Sequence, residues 1–202
     1  MPSCPHRVVD TVLMSRVISY SDAYIAARRQ FMASGDVDMK ALAEELIVGR
    51  ATLYRVVGSR DRLLGRIVAD LAAVTQSQAV EAAASEHPPS VERIVQAAYR
   101  MNRDVVAFRP LRQLVTNDPE TAFRVLFTEI GGVHAASVAS WSALMDATAR
   151  DGGFALPRDT DRLAYMFVRI GESMIFADLL HSHEPDLELA RDLHRALLTL
   201  PA

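Results

Sequence analysis

The sequence predicts an all-α fold, and three observations carry that prediction. No segment alternates apolar and polar residues with a period of two between turn residues, which is the mark of a half-buried strand. Alanine is abundant, and the 202 residues include only 9 Gly and 9 Pro, so few positions oppose helix formation. Those few punctuate the chain at intervals that suit helices, roughly nine of them.

Taken in order, residues 1–20, with Pro2 and Pro5 and no helical period, form a loose arm. From Ser21, an N-cap, a helix runs to about Ala33 with Tyr24, Ala27 and Phe31 on one face, and Ser34-Gly35 stops it. Asp38 caps a short second helix that turns Met39, Leu42, Ala43 and Leu46 inward. After a break at Ile47 to Gly49, a third helix puts Leu53 and Val57 inward, four residues apart, so that Arg50, Ala51, Tyr54 and Arg55 point the other way. Gly58 ends it, and Ser59 caps a long fourth helix reaching about Ala84. Ser90 caps a helix over residues 91–107, Pro110 opens a short one, and Pro119 begins another that is broken or bent at Gly131-Gly132 and resumes to about Asp151. Gly152-Gly153 and Pro157 then keep a connector open. Two last helices cover about 160–180 and 186–200. The predicted organisation is therefore an arm (1–20), a three-helix head (21–66) and a helical body (67–202).

The net charge of −3 argues against a protein that coats nucleic acid generally, but it conceals an asymmetry. Residues 1–66 carry ten Lys or Arg against seven Asp or Glu, whereas the remainder carries twelve against eighteen. Arg50, Arg55, Arg60, Arg62 and Arg66 face only Asp61 within their stretch, and the single lysine, Lys40, lies just upstream. Two short helices joined by a tight turn, the second presenting cations, hydroxyls and an aromatic ring, meet the physical specification of a helix-turn-helix. Such a helix fits the major groove, where Arg pairs with guanine and an Ala methyl touches thymine. Thr52, Tyr54 and Arg60 suit phosphate oxygens. Spacing alone is equally compatible with a structural helical hairpin whose basic face is solvated.

The stretch "KALAEELIVGRATLYRVVGSRDRLL", residues 40–64, resembles the DNA-binding signature of the TetR family of bacterial transcriptional regulators without gaps. The resemblance implies a DNA-binding head on a ligand-binding, dimerising helical body. It places Arg50, Ala51 and Arg55 at base-edge positions, Thr52, Tyr54 and Arg60 at backbone-contacting positions, and Lys40 where a second-helix side chain reaches DNA. The sequence departs from the family pattern at four places. Ile47 stands where Gly is usual, so a left-handed backbone there is strained. Gly49 replaces a Ser or Thr cap, Val56-Val57 an aromatic pair, and Arg60 a lysine. Further along, "LVTNDPETAFRVL" and "RIGESMIFADLLHSHEPDLELA" are similar to the QsdR-like branch of the family, associated with lactone-degrading, quorum-quenching genes.

In the body, Tyr99, Phe108, Phe127, Trp141, Met145 and Phe176 are the candidates to line a pocket between helices, although each alone also reads as ordinary core. Arg169 and Glu172, at i and i+3, read either as a structural ion pair or as effector contacts, with Arg169 as a donor to a neutral ligand. Leu163, Phe167, Ile170, Met174 and Ala177 form one stripe, with Met166, Ser173 and Leu180 widening it. Leu187, Ala190, Leu193, Leu197 and Leu200 form a second. They either close the monomer or pair with a second copy as a four-helix interface.

Other classes find little support. The sole lysine does not end a Gly-rich phosphate loop, no G-x-S-x-G elbow occurs, and a single cysteine, Cys4, rules out an intramolecular disulfide. His181-Ser182-His183-Glu184 offers metal-ligand types but precedes Pro185 in an expected surface turn. No cofactor or metal is expected. No apolar run is long enough to span a membrane and no secretory signal pattern opens the chain, so a cytoplasmic protein is expected. The sequence thus points to a homodimeric, non-enzymatic repressor that binds a palindromic double-stranded operator and is released by a small, mainly apolar effector such as a lactone. The alternative is a helical small-molecule-binding protein without specific DNA binding.

Overall fold

A computed structural model describes residues 18–177 and 184–201, and among them the chain forms ten helices and no strand. The head comprises α1 (Tyr20–Ser34), α2 (Met39–Glu45) and α3 (Arg50–Val57). The long α4 (Arg60–Glu86) leads into α5 (Val91–Ala107), α6 (Arg109–Asn117), α7 (Pro119–Phe127), α8 (Val133–Gly152), α9 (Thr160–Ile175) and α10 (Leu187–Leu198). His181 and His183 lie outside the described residues, as does the arm up to residue 17.

Four sequence expectations are adjusted by local chemistry. Helix α1 starts at Tyr20 rather than after Ser21, because Ser19 is the N-cap: its hydroxyl accepts from the Asp22 amide at 3.1 Å while the Asp22 carboxylate accepts from the Ser19 amide at 3.2 Å. The segment from Pro119, expected to be broken or bent at Gly131-Gly132, is broken there into α7 and α8, which gives ten helices among the described residues where about nine were expected. Its break is where α4 and the α7–α8 connection cross: a Cβ on Gly65 would sit 2.1 Å from the Gly131 carbonyl oxygen, so the approach of α4 needs a glycine at 65, while a Cβ on Gly131 would sit 1.9 Å from the Val125 carbonyl oxygen, so the turn after α7 needs one at 131. Helix α9 stops at Ile175, short of the expected residue 180. Helix α10 buries Ala190, His194 and Leu198, a face rotated away from the predicted leucine stripe, which leaves Leu193 and Leu200 exposed.

The turn between α2 and α3 keeps a left-handed residue despite the departure at Ile47, and so takes the strained form. The Val48 amide donates to the Ala43 carbonyl at 3.0 Å and the Ile47 amide to the Glu44 carbonyl at 3.1 Å, the paired bonds of a Schellman motif. Ile47 fills its left-handed position at φ 57°, where glycine is usual.

Two apolar cores result. An upper one joins the inner faces of α1–α3 to the first turns of α4 and to α6 and α7, with Phe31, Leu42, Leu53, Leu64 and Leu114 fully or almost fully buried. A lower one gathers α5, α8, α9 and α10 around Ile94, Trp141, Met145 and Phe167. The upper core crosses the expected head–body boundary at residues 66 and 67, since α4 begins beneath the head and continues along α5.

Candidate functional site

Helix α3 is held by Leu53 and Val57, both buried, and its N-cap Gly49 supplies no side-chain hydrogen bond. Burying those two positions turns Arg50, Ala51, Tyr54 and Arg55 to solvent and leaves Thr52 half-buried. Lys40 is exposed on α2, 3.9 Å from Glu44. Asp38 ties the two helices electrostatically: the amides of Ala41 and Lys40 hold its carboxyl below the usual range, and the charges of Lys40 and Arg50 add to that. Six of the seven predicted DNA-contacting residues therefore stand exposed or half-exposed around the second and third helices.

Arg60 does not join them. Its guanidinium turns inward, 26% exposed, where Nε donates to the Val37 carbonyl at 3.1 Å, Nη1 to Thr121 Oγ1 at 3.2 Å, and Nη2 to Asp36 and, at 3.4 Å, to Asp118. Burial alone would raise the Asp118 carboxyl, but hydrogen bonds from Thr121 and the nearby Arg60 outweigh it and hold that carboxyl below the usual range. Arg124 on α7 reaches Asp61 at 2.9 Å beside this cluster. Together they clamp the start of α4 to the α1–α2 loop and to the start of α7. Replacing the family's lysine with arginine suits this, because a planar fork satisfies several fixed acceptors at once.

Between the cores lies a cavity of about 380 Å³, within the range of small-molecule sites. Its wall takes Phe31 from α1, Val68 from α4, Met101 from α5, Phe108 ahead of α6, Trp141 from α8 and Phe167 from α9. Among the described residues no Lys or Arg lines it. Of the eight predicted ligand-contacting residues, Phe108, Trp141, Glu172 and Phe176 do line it and four do not. Tyr99 sits at an outer edge, where its hydroxyl donates to Glu188 at 2.7 Å. Phe127 stands behind the wall, edge-on to Phe176 at 5.5 Å, and Met145 is fully buried in the lower core. Arg169 is 43% exposed and pairs with Glu172 at 3.0 Å, so it engages a half-buried carboxylate of the wall and is not itself part of the lining. His134 Nδ1 lies 2.9 Å from the other oxygen of Glu172.

The comparisons with known proteins agree with this architecture. Residues 90–199 match the family model described as "Tetracyclin repressor-like, C-terminal domain". The chain belongs to the TetR family. The solved structure of the R. erythropolis transcriptional repressor QsdR, from the TetR family, is similar over 91% of this chain and 95% of that one, at 29% identity and a TM-score of 0.81. No curated protein matches the chain. Among the described residues no helix is long and apolar enough to cross a membrane, and no group of His, Cys, Asp and Glu has the arrangement to hold a metal ion.

The sequence reading missed the polar end of this TetR-family chain's cavity. Asn102 on α5 is 6% exposed and His194 on α10 is 1% exposed. They meet over Gly171 of α9, where an added Cβ would lie 3.7 Å from Asn102 Oδ1 and 3.8 Å from His194 Cε1. The imidazole stacks on Phe167 at 3.8 Å, and burial pushes its pKa down to about 4, so the ring is neutral at pH 7. Its Nε2 lies 2.9 Å from the Phe167 carbonyl, which can only accept, so Nε2 carries the proton and Nδ1 is a bare lone pair. Neither His194 Nδ1 nor Asn102 Nδ2 has a partner among the described residues. A buried polar atom left without one costs about 1–3 kcal/mol. The signal was present in the sequence: Asn102 continues the inner face of Ile94 and Ala98 at helical spacing, and His194 stands between Ala190 and Leu198 at i±4.

Proposed function

We propose that the protein is a homodimeric repressor: α3 reads a palindromic operator, and a small, neutral, mainly apolar effector such as a lactone lowers its affinity by filling the cavity. The observation that carries this reading is that one cavity touches both halves of the molecule, with Phe31 of the head and Trp141 and Phe167 of the body on its wall. An effector there has contacts that depend on how α1 sits over the body. That dependence is the differential binding between two states which any allosteric release requires, typically about 1–3 kcal/mol. On the DNA, Arg50, Arg55 and Ala51 take base edges, and Thr52, Tyr54 and Lys40 take phosphates. Arg60 keeps its place in the clamp. Dimerisation through α9 and α10 is supported by the exposed apolar side chains Tyr165, Met166, Leu189 and Leu193, which the monomer leaves uncovered. A symmetric pair would set the two recognition helices one DNA turn apart, about 34–36 Å, or a multiple of it.

Selection of duplexes from a randomised pool, followed by gel shift, tests the reading. A palindromic site retarded at a stoichiometry of at least one dimer, and released by an added acyl-lactone, is expected. Retention of random duplexes as tightly as any selected one would identify a small-molecule-binding protein without specific DNA recognition.

A further inference from the structure

We propose that the effector carries, next to its apolar body, a neutral polar head in which an N–H or O–H donor adjoins a carbonyl-type acceptor, and that this head docks between His194 Nδ1 and Asn102. The inference rests on the reading of the cavity as the effector site and names the chemistry that site selects. Two polar atoms without a partner among the described residues, both on side chains more than nine-tenths buried, belong to residues that line the same wall. They are of opposite kind. His194 Nδ1 is an acceptor because its other nitrogen donates to the Phe167 carbonyl at 2.9 Å, and Asn102 Nδ2 is a donor. A plain ester or lactone satisfies the amide and leaves the imidazole lone pair buried and unmet. A secondary amide or a hydroxy-carbonyl satisfies both at once, since its donor and acceptor lie within a few bonds of each other.

The rest of the wall constrains the molecule further. Trp141, Phe167, Phe108 and Phe176 supply apolar area for a chain or ring. Among the described residues no cation lines the cavity; of the two carboxylates there, half-buried Glu172 is already engaged by His134 and Arg169, and Asp104 is exposed and paired with Arg103. A carboxylate ligand would therefore lose its hydration without gaining a counter-charge. The cavity accordingly disfavours anions, and among neutral molecules it favours those with a donor.

The isosteric pair N-octylacetamide and octyl acetate differs only by N–H in place of an ether-type oxygen, and decanoate supplies the anion. Their binding at pH 7 is read from quenching of Trp141, the single tryptophan of the chain. The amide is expected to bind about tenfold or more tighter than the ester, as for a site whose buried acceptor goes unmet, and decanoate more weakly than either. In His194→Phe, which keeps a ring against Phe167, the amide and ester are expected to bind alike. In Asn102→Leu both weaken, which decides the matter if the histidine variant does not fold. An ester as tight as the amide in the unmodified protein, a preference that survives in His194→Phe, or decanoate binding as well as the amide overturns the proposed head group. If none of the three probes quenches Trp141, the cavity is not an effector site and the reading beneath this inference falls with it.

Discussion

Helix α3 keeps the side chains proposed to meet DNA in water, whereas the cavity keeps Asn102 and His194 out of it. The difference in setting divides the cost of function in two ways. An exposed cation on α3 retains its hydration until DNA arrives, so the free protein gives up little stability to hold it. The polar end of the cavity is desolvated all the time, and the fold carries that cost whether or not a ligand is bound. The two regions should then respond oppositely to mutation: changes on α3 alter affinity with stability nearly constant, and changes at the cavity alter stability itself.

The largest expected effect comes from His194. Its folded pKa of about 4 lies below the usual imidazole value of 6.5 because burial disfavours the charged ring. The native state thus binds fewer protons than the unfolded chain between those two values, and stability rises with pH across that window. The contribution is fully present above about pH 6.5 and is lost as the pH falls toward 4, amounting to about 3 kcal/mol in total. Urea unfolding at pH 7, 5.5 and 4.5 should show this decline, and His194→Phe should flatten it over the same range. Parallel curves for the two proteins would mean that the imidazole is reached by water, which would erase the contrast on which the comparison rests.

Next in size is the contrast between two arginines ten residues apart in sequence. Arg60→Ala removes a fork that meets Asp36, Asp118, Val37 and Thr121, and should lower unfolding stability by about 2 kcal/mol through charge-assisted hydrogen bonds left unmet. Its effect on the salt dependence of operator binding should be small. Arg50→Ala should do the reverse, leaving the urea midpoint in place and weakening specific binding by about 1–3 kcal/mol with relaxed base preference. A salt slope that flattens by about one unit in Arg60→Ala would return that residue to the phosphate-contacting role its sequence position suggested.

What could be read in advance follows from how local each determinant is. The caps, the glycine stops and the i, i+4 pairing of Leu53 with Val57 lie within single helices, so the outward face of α3 was legible. The split at Gly131 was only half legible: the glycine itself answers to the carbonyl of Val125 nearby, but the crossing of α4 there depends on Gly65, sixty-six positions away, and that contact belongs to no local pattern. The cavity was the least legible. Aromatic residues were chosen for it by type, and Phe108, Trp141 and Phe176 do line it, but type cannot separate them from Met145 or Phe127, which pack elsewhere. Asn102 and His194 were visible as polar residues on buried stripes, and a rule that weighs such interruptions above aromatic content would have found them.

The smallest expected effect tests whether the head carries stored strain apart from the exposed side chains of α3. Ile47 occupies the left-handed position of the Schellman turn at φ 57°, where a β-branched side chain crowds its own backbone at a cost of roughly 1–2 kcal/mol. It is 74% exposed, so little packing offsets that cost. Glycine removes the crowding but gains freedom in the unfolded chain, which returns part of the benefit. Ile47→Gly should therefore stabilise the protein by about 1 kcal/mol, or roughly 2–4 °C in melting temperature for a chain of this length. The hydrogen bonds from Ile47 and Val48 to Glu44 and Ala43 are made by backbone and should survive, so α3 should keep its orientation and operator affinity should stay within a factor of about two. If the variant is stabilised yet loses operator affinity, the isoleucine side chain itself takes part at the DNA surface. In that case the strain at the turn is the cost of presenting an apolar group there, and the head, like the cavity, holds a function that the resting fold must carry.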